Sequence, residues 1–160
     1  MKKTRFIANA ITLALAIPFT ALAADQPTLG ARGSDIIKQG SLTFKDIDKD
    51  GALTPYEDWR LTPRQRAEDL VSRMTIAEKA GVMMHGSAPA PGSVIGRGEV
   101  YDLPAVRAMI VDDKVNTFIT RLTTSPASLA EQNNQLQAIA EKTRLGIPVT
   151  ISLDPRNTYE

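Results

Sequence analysis

The residues from Asp46 to Glu57, DIDKDGALTPYE, have acidic side chains at a spacing that suits calcium binding. In an EF-hand loop, carboxylates at places one, three and five bind the ion, a backbone carbonyl at place seven adds a ligand, and a glutamate at place twelve closes the shell. Gly51 occupies the sixth place, where such a loop turns sharply. The loop therefore predicts a site for one calcium ion, with these ligands: Asp46, Asp48, Asp50, Ala52 and Glu57.

The same residues also suit a solvated turn, because Asp and Gly form Asx-type turns without any ion. Three features favour this simpler interpretation. No entering helix is predicted before Asp46, Pro55 stands shortly before the last ligand, and no second loop is present to form a pair. Sensor loops work in pairs that open a groove, so we expect calcium in this loop to have a structural role.

Helix-capping motifs locate the elements that follow the loop. Thr62 with Gln65, and Thr75 with Glu78, each form a capping box, so a helix is expected after each threonine. The second helix is short and should stop at Gly81. Two further helices are predicted in LPAVRAMIVDD (103–113) and in ASLAEQNNQLQAIAEKTRL (127–145).

Three apolar stretches alternate with these helices and predict strands: VMMH (82–85), VNTFIT (115–120) and PVTISLD (148–154). The order strand, helix, strand, helix, strand is typical of a parallel sheet covered by helices. In the third stretch, alternation places Thr150, Ser152 and Asp154 on one side and aliphatic residues on the other. The predicted fold class is therefore α/β.

Two other side chains can do chemistry but lack partners in the sequence. His85 is the only histidine, and no Ser, Cys or Asp partner is indicated by spacing, so we interpret it as a loop residue without a chemical role. Trp59 has the ring needed to stack on a sugar, but within YEDWRL it is better interpreted as an anchor of the acidic loop against the following helix.

Composition narrows the class of protein. The chain has 160 residues, which suggests one domain at most. Its 19 basic and 18 acidic residues give a formal net charge of +1, so no broad electrostatic field favours nucleic acid. No cysteine is present, so disulfides are excluded and the fold depends on burial, with a metal ion as a possible supplement.

The first 23 residues have the layout of a cleaved signal peptide. A basic MKKTR is followed by the apolar FIANAITLALAIPFTA and by the small-x-small sequence ALA, so cleavage is expected before Ala24. We therefore expect export to a bacterial periplasm or the medium, with no membrane association after cleavage. Residues 24–43 are then a loosely held lead-in and residues 44–60 the EF-hand-like loop.

Three motifs resemble glycoside hydrolase family 3, which includes exported bacterial β-glucosidases and β-xylosidases. They occur in the order of the family: PYEDW after the acidic loop, MTIAEKAG before the first predicted strand, and RLGIPVTISLD at the third. The resemblance covers nearly everything from Phe44 onward. It implies that residues 61–160 begin a (β/α)8 barrel, of which they supply about the first three strands, preceded by the EF-hand-like loop.

The resemblance also implies an activity. Family members remove glucosyl or xylosyl units from the non-reducing ends of β-linked oligosaccharides by a retaining mechanism, without an organic cofactor. An aspartate at the position of Asp154 binds sugar hydroxyls in the family, whereas the residues alone favour a turn-former before Pro155. The catalytic nucleophile and the acid/base come from later parts of the family's chain, so no catalytic residue is assigned within these 160 residues.

Two functions remain open from the sequence. The first is the amino-terminal part of an exported glycosidase, with an oligosaccharide substrate and the missing carboxyl-terminal part of the enzyme as partners. A three-stranded parallel sheet is an unusual stopping place, so we expect the sequence to be cut and the fragment alone to be inactive. The second is a small exported calcium-binding module without catalysis.

Overall fold

A computed structural model describes residues 25–153 of the chain. The predicted signal peptide lies outside these residues, as do Asp154 and the residues that follow it. Within the described range the chain forms six strands and four helices. None of these helices combines the length and the apolar character that a membrane span requires.

The first two strands form an antiparallel hairpin. Strand β1 (Asp35–Gln39) pairs with β2 (Leu42–Asp46), and Gly40 turns between them at φ +60°. A loosely held lead-in, which is the expectation from the sequence, does not describe residues 35–43. A two-residue loop of Gly followed by Ser is a known hairpin signal, so the turn could have been recognised from the sequence. Strand β2 also leads directly into the acidic loop.

Helix α1 (Pro63–Arg73) and helix α2 (Ile76–Val82) follow the acidic loop. Both predicted capping boxes are confirmed, since each threonine side chain accepts a backbone N–H while the residue three positions later bonds back to the threonine. Helix α2 continues one residue past Gly81. Met83 caps it, and both Met83 and Met84 are exposed, so the first predicted strand begins only at His85.

The remaining strands form one parallel sheet around a central strand. Strand β5 (Thr117–Leu122) pairs with β6 (Thr150–Leu153) on one side. On its other side it pairs with β3 (His85–Ser87) and then with the two-residue β4 (Arg97–Gly98), which the sequence analysis did not predict. The parallel arrangement of the three predicted strands is confirmed. The structure is thus an α/β unit with a parallel sheet.

Helices α3 (Leu103–Val111) and α4 (Pro126–Glu141) connect the strands and cover one face of this sheet. Phe118 of β5, Val106 of α3 and Leu136 of α4 are completely buried in the shared core. Ser125 caps α4, and this helix ends at Glu141, before Gly146, which has a φ of +52°.

The hairpin is attached to this α/β unit through Glu141. Its carboxylate accepts the backbone amides of Arg32 and Gly33 at 2.7 and 2.6 Å and the Lys45 ammonium at 2.5 Å. Burial by itself raises the pKa of Glu141, but the hydrogen bonds from these donors outweigh that effect, so the pKa is lowered. One buried carboxylate therefore joins β2 and the segment before β1 to the end of α4.

Gly81 allows a close approach between α2 and the segment that leads to β5. Alanine in a helix is ordinarily more stable than glycine by about 1 kcal/mol. Here an added Cβ would overlap the backbone carbonyl of Lys114, which cannot rotate away. We therefore expect Gly81→Ala to lower the free energy of unfolding by about 1–3 kcal/mol, measured by urea denaturation.

Gly30→Ala is the matched control, because its Cβ would meet only the tip of the Arg32 side chain, at 3.6 Å. An unchanged or raised urea midpoint for Gly81→Ala would contradict the packing of α2 described above.

Candidate functional site

The acidic loop brings three carboxylates together. Asp46 ends β2, and the chain then turns through Lys49 and Gly51, at φ +66° and +75°. Ligand oxygens of Asp46, Asp48 and Asp50 all lie within 4.8 Å of one another, a spacing that would let them share a metal ion. These are three of the five predicted calcium ligands.

Hydrogen bonds within the loop hold these carboxylates but leave one oxygen without a partner. The amide of Gly51 donates to Asp46 Oδ2 at 3.1 Å, and the amide of Ala52 donates to Asp50 Oδ1 at 2.8 Å. Asp46 is only 6% exposed, and its Oδ1 is fully buried with no hydrogen-bond partner in the described part of the chain. Buried carboxylate oxygens are rarely left unpaired, so this atom suits a cation or a further hydrogen-bond donor as a partner.

The electrostatics of the loop also suit a bound cation. Burial, together with the neighbouring carboxylates of Glu57 and Asp50, raises the pKa of Asp48. The Arg73 guanidinium donates to Asp48 Oδ2 at 3.3 Å but offsets this crowding only in part. All three carboxylates offer hard oxygen ligands, the donor type that calcium prefers. The donor set therefore fits a calcium ion.

Glu57 has a different set of bonds from the other acidic residues. Its Oε1 accepts the amides of Ile47 and Asp48 at 2.6 and 3.2 Å. Its Oε2 accepts the amide and the hydroxyl of Thr54 at 2.9 and 2.6 Å. The side chain is buried, and these four bonds occupy the acceptor sites of both oxygens. In the structure Glu57 closes the loop upon itself, and it is not in the three-carboxylate cluster.

The bond between Thr54 and Glu57 could have been found in the sequence. Thr54 and Glu57 form a T-x-x-E pattern like the one that begins α2 and equivalent to the T-x-x-Q that begins α1, where it indicates a capping box. The calcium-loop pattern, which contains both residues, does not by itself indicate this second role.

The loop is bound firmly to its surroundings. Arg73 of α1 bonds Asp48 and Asp69 and lies over the Tyr56 ring. Tyr56 donates its hydroxyl to the Leu145 carbonyl, and Lys49 donates to the Thr143 carbonyl at 2.7 Å. The acidic loop therefore joins β2 and α1 to the segment between α4 and β6.

Trp59 anchors the exit of the loop, although not against α1 as predicted. Its Nε1 donates to the Thr43 carbonyl at 2.9 Å, and its ring stacks on Phe44 with centroids 5.3 Å apart. The contact is with the hairpin, because the chain between the loop and α1 folds back over β2. Trp59 is therefore occupied in packing.

A second group of polar side chains lies on the face of the sheet opposite α3 and α4. His85 Nε2 and Ser152 Oγ are 2.9 Å apart across β5, and Arg121 donates to Ser87 Oγ at 2.9 Å. Sequence spacing indicates no partner for His85, because this contact depends on strand register. The predicted alternation in β6 is confirmed at Ile151, which packs against the core, and at Ser152.

Asp154 lies just beyond the described residues. Its predicted role in binding sugar stays a prediction. The last described residue of β6 is Leu153, which is 63% exposed.

Comparison with known proteins relates this α/β chain to a class of enzymes. No family model matches it. Curated proteins similar to this chain include β-glucosidases and a β-glucosidase/β-xylosidase, which are O-glycosyl hydrolases. The resemblance stated from the sequence is thereby confirmed: the chain is a relative of the β-glucosidase-type glycoside hydrolases, in agreement with family 3.

The similar proteins come from a bacterium and from fungi. The periplasmic β-glucosidase/β-xylosidase of Dickeya chrysanthemi is 56% identical over 163 aligned residues, which include the whole chain and 25% of that protein. Probable β-glucosidase C of Aspergillus flavus is 33% identical over 69% of the chain and 18% of its own length. The corresponding protein of Aspergillus oryzae is 34% identical over 65% and 16%. The chain thus spans about a quarter or less of these relatives.

The bonds of Glu57 generate a prediction that needs no metal. Glu57→Gln would place an amide N–H₂ against donors that now face a carboxylate oxygen. In the presence of a chelator, we expect this change to lower the free energy of unfolding by about 2–4 kcal/mol, since several charge-assisted bonds are lost at a buried site. The measurement is urea denaturation followed by circular dichroism.

Asp50→Asn is the control, because the exposed side chain of Asp50 accepts a hydrogen bond only from the amide of Ala52 in the described structure. Under the same conditions it should change the free energy of unfolding by less than about 1 kcal/mol. Equal effects of the two substitutions would contradict the bracing role of Glu57.

Proposed function

We propose that this chain is part of an exported β-glucosidase-type hydrolase. The enzyme would remove glucosyl or xylosyl units from the non-reducing ends of β-linked oligosaccharides by a retaining mechanism. The observation that supports this most is the 56% identity over the whole chain to the D. chrysanthemi β-glucosidase/β-xylosidase. The rest of the enzyme would supply the two carboxyl groups about 5 Å apart that a retaining mechanism requires.

We also propose that the parallel sheet belongs to a (β/α)8 barrel. Three features support this. Strands β3, β5 and β6 lie side by side in the order in which they occur along the chain, all their pairings are parallel, and helices connect them on one face only. The opposite face would then line the barrel interior, and the carboxyl ends of the strands would open into the substrate site.

The proposed role of Asp154 is supported by its place after β6. The pairing of β5 with β6 advances one residue at a time from Thr117–Thr150 to Thr120–Leu153. Continued by one residue, this register would pair position 154 with Arg121, at the carboxyl ends of the strands. A carboxylate there would accept hydrogen bonds from two vicinal sugar hydroxyls.

The proposed location is the periplasm. It is supported by the signal-peptide layout of residues 1–23 and by the name of the D. chrysanthemi relative, which is a periplasmic protein. Extracytoplasmic calcium sites function at affinities of about 10⁻⁴–10⁻³ M. A weak site would therefore be occupied in that compartment.

We propose one structural calcium ion in the acidic loop. The unpartnered Oδ1 of Asp46 and the crowding around Asp48 support Asp46, Asp48 and Asp50 as its ligands. The Ala52 carbonyl would be a further ligand. Glu57 could become a calcium ligand only if one of its present hydrogen bonds were replaced by a bond to the ion. No organic cofactor is proposed.

The alternative, a calcium module without catalysis, is less well supported. A loop that is bonded to α1 and to Leu145 and Thr143 is suited to bracing a larger unit. No second loop of this kind is present in the chain to open a sensor groove.

The glycosidase proposal is tested by a chimera in which this chain replaces the matching quarter of the D. chrysanthemi relative. We expect the chimera to hydrolyse nitrophenyl β-glucoside or β-xyloside at a rate within about tenfold of the relative, a change of roughly 1.4 kcal/mol in the activation barrier. Asp154→Asn in the chimera should lower kcat/KM roughly 100-fold, because two charge-assisted hydrogen bonds to the sugar are weakened.

Asp113→Asn, at an exposed position after α3, is the matched control and should leave the kinetics unchanged. A chimera that is folded, as judged by a cooperative thermal transition, but lacks activity would contradict the proposed function.

The calcium proposal is tested on the chain itself. Wild type should bind one calcium ion with a Kd of about 10⁻⁴–10⁻³ M. At roughly 10 mM calcium this binding should add about 1–3 kcal/mol to the free energy of unfolding. Asp46→Asn should abolish the calorimetric heat and the rise in melting temperature, whereas Asp113→Asn should retain both. Equal heats from wild type and Asp46→Asn would rule out this site.

A further inference from the structure

The face of the sheet opposite the helices is organised in layers by strand register. His85, Thr117 and Thr150 are paired across the three strands in one layer. Toward the carboxyl ends, the next layer consists of Ser87, Ile119 and Ser152, and a third contains Arg97 and Arg121. Paired residues of parallel strands point to the same side of a sheet, so all these side chains share one face.

This face is unusually polar for the inside of a barrel. Barrel interiors are packed mainly with branched aliphatic side chains such as Val, Ile and Leu. Here Ile119 is the only aliphatic residue among the side chains of the three layers. Such a face favours contact with water or with a polar ligand over dry packing.

Arg121 is the strongest ligand-binding candidate on this face. It is the last residue but one of β5, and its side chain is half-buried. Its Nη1 donates to Ser87 Oγ at 2.9 Å and to the Ile95 carbonyl at 3.2 Å. Among residues 25–153, no carboxylate forms an ion pair with it, and no acceptor is bonded to its Nε or Nη2. Three N–H donors therefore lack a protein partner in the described structure.

The surroundings of Arg121 also suit a sugar. The segment between β3 and β4 folds over the same end of the sheet and exposes Val94 and Ile95, at 85% and 51%. The contact of Arg121 with the Ile95 carbonyl holds this segment beside the guanidinium. Apolar side chains next to a fork of donors match a pyranose, which has C–H faces and a rim of hydroxyl oxygens.

We propose that Arg121 is a substrate-binding residue of this enzyme. Its Nε and Nη2 groups would donate hydrogen bonds to hydroxyl oxygens of the sugar at the carboxyl ends of the strands, while its Nη1 group keeps the β3–β4 segment in place. This inference rests on the glycosidase function proposed above.

The test compares four variants of the chimera: Arg121→Met, Arg121→Lys, Ser87→Ala and Arg107→Met. Loss of charge-assisted hydrogen bonds should lower kcat/KM of Arg121→Met roughly 10- to 100-fold and raise the inhibition constant of glucose in parallel. Arg121→Lys should be intermediate, since an ammonium keeps the charge but not the fork of donors. Arg107 is exposed on α3, and its substitution should change neither value.

Ser87→Ala separates binding from a purely structural role. It removes one of the two bonds with which Arg121 holds the β3–β4 segment but leaves the guanidinium in place. If Arg121 binds the sugar, Ser87→Ala should change kcat/KM by no more than about threefold, a loss below roughly 1 kcal/mol. A loss as large as that of Arg121→Met would overturn the inference, and so would unchanged kinetics for Arg121→Met.

Glucose binding, measured by calorimetry on the same variants, tests the inference without turnover. A chimera that binds glucose through Arg121 but hydrolyses nothing would contradict only the proposed activity. Equal glucose affinity in wild type and Arg121→Met, or no glucose binding by the folded chimera, would overturn the role of Arg121.

Discussion

Buried carboxylates hold this structure together, and each of them must be supplied with hydrogen-bond donors. Glu141 receives two amides and a lysine, Glu57 receives three amides and a hydroxyl, and Glu78 receives Thr75 and Arg144. The bond with Arg144, despite the opposing effect of burial, lowers the pKa of Glu78 to about 2, so this carboxylate remains charged at neutral pH. Asp46 is the exception, because one of its oxygens has no donor. The full pairing of Glu141, Glu57 and Glu78 makes the unpaired oxygen of Asp46 informative.

The two faces of the parallel sheet are suited to different tasks. On one face Phe118 and Ile151 pack against α3 and α4, and burial of these apolar groups stabilises the unit. On the other face hydroxyl, imidazole and guanidinium groups are held at fixed positions by strand register. Because β5 supplies residues to both faces, the packing of Phe118 fixes the strand on which Arg121 lies. The apolar core on one face thus positions the polar side chains on the opposite face of the same strands.

Local signals made part of this fold predictable. Thr62, Thr75 and Ser125 cap helices through residues three positions away, so their motifs can be read directly from the sequence. The apolar pair Met83–Met84 misled the strand prediction, because apolar character does not say whether a residue is covered. The carboxylate spacing of the loop also predicted the cluster of Asp46 with its neighbours. Contacts such as that of His85 with Ser152 could not be predicted from the sequence, because they join residues 67 positions apart and depend on the register of three strands.

The acidic loop and the polar face of the sheet are linked by a short stretch of chain. Tyr56 and Lys49 bond the carbonyls of Leu145 and Thr143, and β6 begins at Thr150. Gly146 lies within this stretch, where an added Cβ would meet Ile47 of the loop. A cation that rigidifies the loop would therefore also restrain the entry to β6. In a chain without cysteine, no disulfide can supply that restraint. Under the proposed function, a cation bound in the acidic loop would thus help to hold β6 in position beside the substrate.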